Sequence, residues 1–537
     1  MGEGSTGDAG GGKGTGLGEA GAGRMGAAAA LLAGSVLLSR CVGYLREIAL
    51  AAKVGVGSET DAYYTAFMLP DLLNYLLAGG ALAIAFIPLY NRVRNRGGDA
   101  AAAQLFESVL GTVGAITLVA TAALWLYADT LVGWGFPKFD PETRALTVRL
   151  TRIVLPAQIF FLTGGLLRAV LMAHGRFVAQ ALAPLIYNGA VIAGGLVTGT
   201  VEGFAWGVLA GALLGSWLLP LIELSRYRRI RVRVAPFGAD FRAYLVLALP
   251  LMLGVSLTTV DEWYDKIFGA TLAAGTVAQL SFARKLMMAP VAVVGQAVGA
   301  AALPTLARLH AAGHQDELAR TLLRTLQATT SLAVLGAAAC WVFAQPLVEV
   351  VYRYGAFGAD AAERVAALLA VMAFAIPGWV TQQVAVRAFY AREEMWRPML
   401  LGTGIALVAI PLYYVFAKRF DAEGLAAAGA LAISVNALLT LVWARLRHGA
   451  PALGPFFGTT LRALVIALAA AAAGGLVASH GAGRVGALRD LALGATCFGA
   501  VAGFGVYVFG DTVMRDTLRR VGRKLSARWP GRSTAPK

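Results

Sequence analysis

Runs of about 18 or more apolar residues recur along almost the whole of this chain, and a run of that length crosses a bilayer as one helix. A soluble domain cannot bury so much apolar sequence. With 58% hydrophobic and 14% charged residues over 537 positions, and mean hydropathy +0.67, the chain reads as an all-α polytopic membrane protein. The pattern predicts fourteen transmembrane helices near 27–54, 61–92, 106–134, 143–173, 177–199, 203–224, 240–270, 275–309, 318–351, 360–390, 397–417, 423–446, 458–479 and 488–511.

A net charge of +16 would suggest nucleic acid in a soluble protein, but here the basic residues gather in alternate loops. One set holds Arg92, Arg94 and Arg96, then Arg176, then Arg226, Arg228, Arg229, Arg231 and Arg233. Arg392 and Arg397, then Arg445 and Arg447, continue it, and the tail adds Arg515, Arg519, Arg520, Arg523 and Lys524. The other set is short and near neutral, as in GVGS at 55–58, GTVEG at 199–203 and GATLAAGT at 269–276. Lys and Arg mark cytoplasmic loops, so both termini are expected in the cytoplasm and no nucleic-acid partner is expected. Cys41, Cys340 and Cys497 lie far apart in apolar segments and the five His are scattered, which gives neither a disulfide framework nor metal spacing. Nucleophile-elbow and phosphate-loop motifs are absent. The chain is therefore expected to be no enzyme, and any transport to run on an ion gradient, a substrate gradient or the membrane potential.

Residues 1–26, rich in Gly and Ala, are expected to form a disordered cytoplasmic tail. Beyond them lies an internal repeat. GGALAIAFIPLYNRV, ending at Val93, resembles VGAAALPTLARL, ending at Leu309, and aligns Pro88 with Pro304. Segments around Pro156 and Arg168 likewise match those around Pro377 and Arg387. Six helices per repeat is an even number, so both copies enter the membrane from the same side. Two lobes, 27–224 and 240–446, are thus expected around a pseudo-two-fold axis along the membrane normal. A basic linker, 225–239, would join them, followed by two extra helices in 447–511 and a basic cytoplasmic tail, 512–537.

Ionised side chains interrupt the apolar runs. On the first helix Ser39, Arg40, Gly43, Arg46 and Glu47 fall within an arc of roughly 120°. An Arg or Asp at mid-bilayer costs about 2.5–3.5 kcal/mol, so such a stripe implies an internal watery cavity. On the second helix Asp71, Asn74, Tyr75, Ala78 and Gly79 share a face, with Pro70 inviting a kink. The seventh ends in TTVDEWYDKIF, with Asp261 and Asp265 one turn apart, and the eighth carries Arg284 and Lys285. Asp61, Asp265 and Lys266 fall near outer helix ends, where reaching the interface is the alternative to a buried role. Arg168 and Arg387 near cytoplasmic ends are expected to snorkel.

Six stretches carry a resemblance: SRCVGYLRE at 39–47, TDAYYTAFMLPDLLN at 60–74, GGALAIAFIP at 79–88, HGRFVAQALAPLIYN at 174–188, YRYGAFGADAAER at 352–364 and RAFYAR at 387–392. In this order the chain resembles the MurJ (MviN) lipid II flippases of the multidrug/oligosaccharidyl-lipid/polysaccharide exporter superfamily. The resemblance implies two six-helix lobes around a cationic cavity, with the last two helices forming a groove for a lipid tail. It implies a monomer in the bacterial inner membrane that moves undecaprenyl-pyrophosphate-linked peptidoglycan precursor to the outer leaflet by alternating access. Arg40, Arg46, Ser39 and Asp61 match substrate-site positions of the family. Asn74 and Lys285 stand where other members have arginines.

The family's Asp-Arg-Leu-Met-Glu pattern reads RKLMM here, so Met288 replaces the glutamate and Arg284 is read as returning a cation to the cavity. Some members bind sodium between the seventh and eleventh helices. Asp261 or Asp265 is the candidate here, although 397–417 offers little beyond Thr403. No cofactor is expected, and a monovalent cation such as sodium or the membrane potential remains open as the driving force. The rival readings are a flippase for another polyprenyl-pyrophosphate-linked glycan, a cation-coupled multidrug exporter, and a membrane scaffold.

Overall fold

The computed structural model describes residues 16–77, 82–227, 229–252, 257–478 and 483–526. Ala78, Gly79, Arg228 and most of the expected N-terminal tail lie outside them. The regular elements among the described residues are all helical. Nine of these helices are long and apolar enough to cross a bilayer, or ten when one bent pair counts as a single span. Two of the nine are far longer than a hydrocarbon core of ~30 Å requires. Leu82–Leu126 is interrupted at Gly98, whose φ of 73° a glycine adopts without strain. Trp396–His448 is interrupted at Phe420 and Asp421. Each therefore covers two of the expected spans.

Prolines divide other expected spans. Helix Ser58–Ala66 stops and Met68–Leu76 restarts around Phe67, because Pro70 has no N–H to offer the Ala66 carbonyl. The expected 143–173 span becomes Pro141–Val154 and Ala157–Ala173, with Pro156 at the break. Ala359–Ala373 gives way to Ala375–Ala385 just before Pro377, with a bend of 43° between the two. These last two breaks fall at the paired prolines of the repeat.

Arg168 corrects one expectation. It does not reach for the interface: its Nε donates to Gln180 Oε1 at 3.1 Å and its Nη1 to the Ser216 carbonyl at 2.8 Å. Ser216 lies in a π-helical turn, Ala212–Leu218, whose wider hydrogen-bond spacing leaves a carbonyl for a side chain. Gly164 makes the approach feasible, since a Cβ there would sit 1.8 Å from the Ser216 oxygen.

At the C-terminal end, helices Leu453–Val477 and Gly483–Phe509 pack on each other and on Gln315–Val342. Their seam is built from small residues. A Cβ at Gly474 or Gly494 would come within 2.9 Å and 2.5 Å of the Phe343 ring. Gln327 Nε2 fastens the first of these two helices to Gln315–Val342 by donating to Thr459 Oγ1 at 2.8 Å and to the Pro455 carbonyl at 3.1 Å. The basic tail begins as a further helix, Thr512–Ser526, capped where the Met514 N–H donates to Asp511 Oδ1 at 2.9 Å. Leu464, Val465 and Leu468 stay exposed, as a lipid-facing helix requires.

Candidate functional site

The N-terminal and C-terminal halves of the chain meet at the end that carries the near-neutral loops. There the Ala356 N–H donates to the Ala52 carbonyl at 2.9 Å, and Lys138 Nζ donates to the Thr271 carbonyl at 3.3 Å. Gly55 and Gly355, at φ +78° and +54°, let the two strands of backbone interlock. A Cβ at Gly355 would lie 2.2 Å from the Ala52 oxygen, and one at Gly55 2.6 Å from the Ala356 oxygen.

Asp61 completes this closure. Its Oδ2 accepts from the Gly275 N–H at 2.6 Å and its Oδ1 from the Ala278 N–H at 2.7 Å, across the two halves. These donors open helix Thr276–Val291 and have no intrahelical partner, and a carboxylate is the charge that a helix N-terminus favours. Asp61 is 2% exposed. It is a buried latch and does not reach the interface.

Lys266, also expected near the interface, is buried as well. Its Nζ lies 3.2 Å from Glu262 Oε1 and 3.7 Å from Asp71 Oδ2, joining helix Leu257–Gly269 to helix Met68–Leu76. The Tyr75 and Trp263 rings meet edge-on beside them. Asp71 and Glu262 keep nearly half of their side chains exposed. This pair of helices therefore borders a wet space.

The arginine stripe of helix Gly16–Lys53 is anchored deeper in the chain. Arg46 Nη2 pairs with Glu47 Oε1 at 2.6 Å and Nη1 donates to Asn188 Oδ1 at 3.3 Å. Glu47 is buried and also accepts from the Tyr64 hydroxyl at 2.6 Å, so a fixed carboxylate orients the guanidinium. Asn188 is held in turn by its Nδ2 donating to the Pro184 carbonyl at 2.9 Å. The Arg46 side chain is still 24% exposed, which leaves part of its donor fork for an anion. Arg40 is exposed and Ser39 half-buried on the same helix. Asn74, one turn from Asp71, and Lys285 are half-buried. The Lys285 backbone carbonyl accepts from the Tyr44 hydroxyl at 3.1 Å, another link between the halves.

Arg284 requires two corrections. It does not present a charge to the cavity, and Asp261 and Asp265 do not stand open to an exchangeable cation. Arg284 Nη1 donates to Asp261 Oδ2, while Nη2 and Nε both donate to Asp265 Oδ2, the latter at 3.1 Å. The Tyr413 hydroxyl takes Asp261 Oδ1. All four residues are buried, so Asp265, too, does not reach the interface. The physical reason is proximity: Asp261 and Asp265, one turn apart, fork around a guanidinium on the next helix, where carboxylates left unpaired would be costly. Among the described residues no group of three or more His, Cys, Asp or Glu is arranged to hold a metal ion.

Three partners escaped the sequence reading. Tyr64 lies in the polar stretch 58–66, whereas Asn188 and Tyr413 are polar groups in largely apolar spans, the signal that could have flagged them. Asn188 and Tyr413 meet their partners across 142 and 152 residues.

At the opposite, basic end Glu394 gathers Arg397, Arg447 and His448, with contacts of 3.4, 3.2 and 3.1 Å. Burial pushes its carboxyl up, but hydrogen bonds from Arg447 and the charges of His448 and Arg397 outweigh it and hold the group below the usual carboxylate range. A lowered carboxylate stabilises the fold fully above its unfolded value, near 4.5, and loses that contribution as pH falls through the lowered one. In detergent, the thermal midpoints of the unaltered chain and of Glu394→Gln are therefore expected to differ at pH 7 and to converge as pH falls through the lowered carboxyl value. A difference that does not vary with pH would remove this assignment.

Known proteins agree with this arrangement. The family model described as "Lipid II flippase MurJ" matches residues 50–492. A protein of Rhizobium meliloti named "Probable lipid II flippase MurJ" is 30% identical over 429 residues, covering 77% of this chain and 80% of its own length. "Lipid II flippase MurJ" of Burkholderia cenocepacia is 29% identical over 444 residues, covering 78% and 83%. Among solved structures, one described as a lipid II flippase MurJ in an inward closed conformation superposes with TM-score 0.74 at 18% identity, over 89% of this chain and 99% of that one. An inward-facing multidrug transporter of the MATE family superposes with TM-score 0.65 at 16% identity, over 76% and 94%. With its all-helical transporter fold and a family match running over most of its length, the chain belongs to the MurJ lipid II flippase family.

Proposed function

We propose that this chain is a lipid II flippase of the bacterial inner membrane, carrying the undecaprenyl-pyrophosphate-linked peptidoglycan precursor from the cytoplasmic to the outer leaflet. The observation that carries the reading is the Arg46 site: a partly exposed guanidinium, oriented by buried Glu47, in a chain whose two halves are latched by Asp61. A pyrophosphate needs a forked cation in a water-poor setting, and Arg40 and Lys285 are close enough in sequence and topology to add charge.

In this reading the chain has fourteen spans with both termini cytoplasmic, two lobes, and two last helices that take the lipid tail. It acts as a monomer and catalyses no covalent step. The end with near-neutral loops faces outward, so Asp61 and the Ala52–Ala356 contact close the outer side and substrate enters from the cytoplasm. Opening breaks those contacts while Arg46 holds the pyrophosphate. Each charge that crosses the field contributes about 2.3 kcal/mol per 100 mV.

The test is rescue of a bacterium depleted of its own lipid II flippase. Growth and appearance of lipid II in the outer leaflet are the expected results. A chain that inserts but rescues nothing would refute the substrate. Because Asn74 replaces a cavity arginine, the same cells supplied with other polyprenyl-pyrophosphate-linked glycans test the rival cargo.

A further inference from the structure

The cluster of Asp261, Asp265, Arg284 and Tyr413 plays no part in substrate binding as described above, yet it ties together three helices. Asp261 and Asp265 come from Leu257–Gly269, Arg284 from Thr276–Val291 and Tyr413 from Trp396–His448. Gly429, farther along the last of these, lies so close that a Cβ there would stand 2.9 Å from Asp261 Oδ1. The Tyr264 hydroxyl, donating to the Ala406 carbonyl at 2.9 Å, fastens the same helices a turn away.

Two buried carboxylates that converge on one point form an oxygen donor set suited to a hard cation. Here that point is filled from within the chain. The guanidinium takes Asp261 Oδ2 and Asp265 Oδ2, Tyr413 takes Asp261 Oδ1, and Asp265 Oδ1 is buried with no donor among the described residues. A tethered ligand competes at a high effective concentration, so free sodium at cellular levels does not displace it. Lys266 offers no substitute, since Glu262 and Asp71 hold it.

We infer that Arg284 is a built-in counter-ion standing in the place of an exchangeable cation, so that this chain turns over without sodium bound between these helices. The consequence for transport rests on the flippase reading, but the site itself can be tested without substrate. In the purified full chain, thermal unfolding is compared in sodium chloride and choline chloride of equal ionic strength. The unaltered protein and Arg284→Lys, which keeps a tethered charge, are expected to unfold at the same temperature in both salts. Arg284→Ala exposes both carboxylates and is expected to unfold earlier in choline and to recover as sodium rises, the signature of a ligand that binds only the folded state.

Direct binding of radioactive sodium should follow the same order: bound by Arg284→Ala, absent from the other two. Should Arg284→Ala fail to fold, the unaltered chain and Arg284→Lys still decide the matter. Sodium-specific stabilisation of the unaltered chain overturns the inference, as does a folded Arg284→Ala that ignores sodium. If these results hold while no lipid-linked substrate moves, the flippase reading fails and the counter-ion assignment stands.

Discussion

Arg46→Ala is expected to abolish rescue of flippase-depleted cells, with translocation in proteoliposomes falling about a hundredfold or more. Charge-assisted hydrogen bonds contribute about 1.5–3 kcal/mol each, and Arg46 is placed to offer a pyrophosphate more than one. The substitution also strands Glu47, which is buried and keeps the Tyr64 hydroxyl as its remaining hydrogen-bond donor among the described residues. Breaking one partner of a buried pair costs about 3–5 kcal/mol, so lost stability could mimic lost transport. The double variant Arg46→Ala with Glu47→Gln separates the two, because it removes the stranded charge. It should regain the thermal midpoint and stay inactive. Recovery of transport in the double variant would show that Arg46 serves the fold and not the cargo.

Asp61→Asn is expected to loosen the outer closure. The carboxylate accepts two N–H bonds at the start of helix Thr276–Val291. An asparagine supplies one acceptor and turns its own N–H₂ toward the second donor. The loss is about 3 kcal/mol, which moves the closed-to-open ratio by roughly a hundredfold. Spin labels at Glu59 and Ala274, exposed residues flanking the latch, would read it as a long-distance population absent from the unaltered chain. Asp61→Glu should fall between the two. An unchanged distance distribution in Asp61→Asn would mean that the interlocked loops alone hold the halves together.

The helical class was legible because apolar length and loop charge are one-dimensional signals. So was the kink near Pro70, since a missing N–H acts within four residues, whereas the breaks near Pro156 and Pro377 divide spans expected to be continuous, 143–173 and 360–390. The interruption at Phe420 and Asp421 was legible as well: it falls in the gap between the expected spans 397–417 and 423–446, where Lys418, Arg419, Asp421 and Glu423 end the apolar run. The arginine stripe was visible as a helical face, and the structure leaves the Arg46 side chain partly exposed. The error over Arg284 has a clear origin. Its charge could be read from the sequence, whereas the two carboxylates that absorb it depend on how neighbouring helices are rotated. Asn188 and Tyr413 belong to the same class of information, set by packing between segments far apart in the chain.

The outer closure also has a bearing on which substitutions this protein can absorb. Its contacts lean on main-chain groups: the Ala356 N–H meets the Ala52 carbonyl, the Gly275 and Ala278 N–H groups donate to Asp61, and the Thr271 carbonyl accepts from Lys138. Such groups survive most side-chain replacements. Drift in these near-neutral loops would leave closure intact, provided Gly55 and Gly355 stay free of a Cβ. In the proposed orientation, a surface exposed to antibodies, phage or secreted inhibitors can thus vary widely while the gate beneath it keeps working.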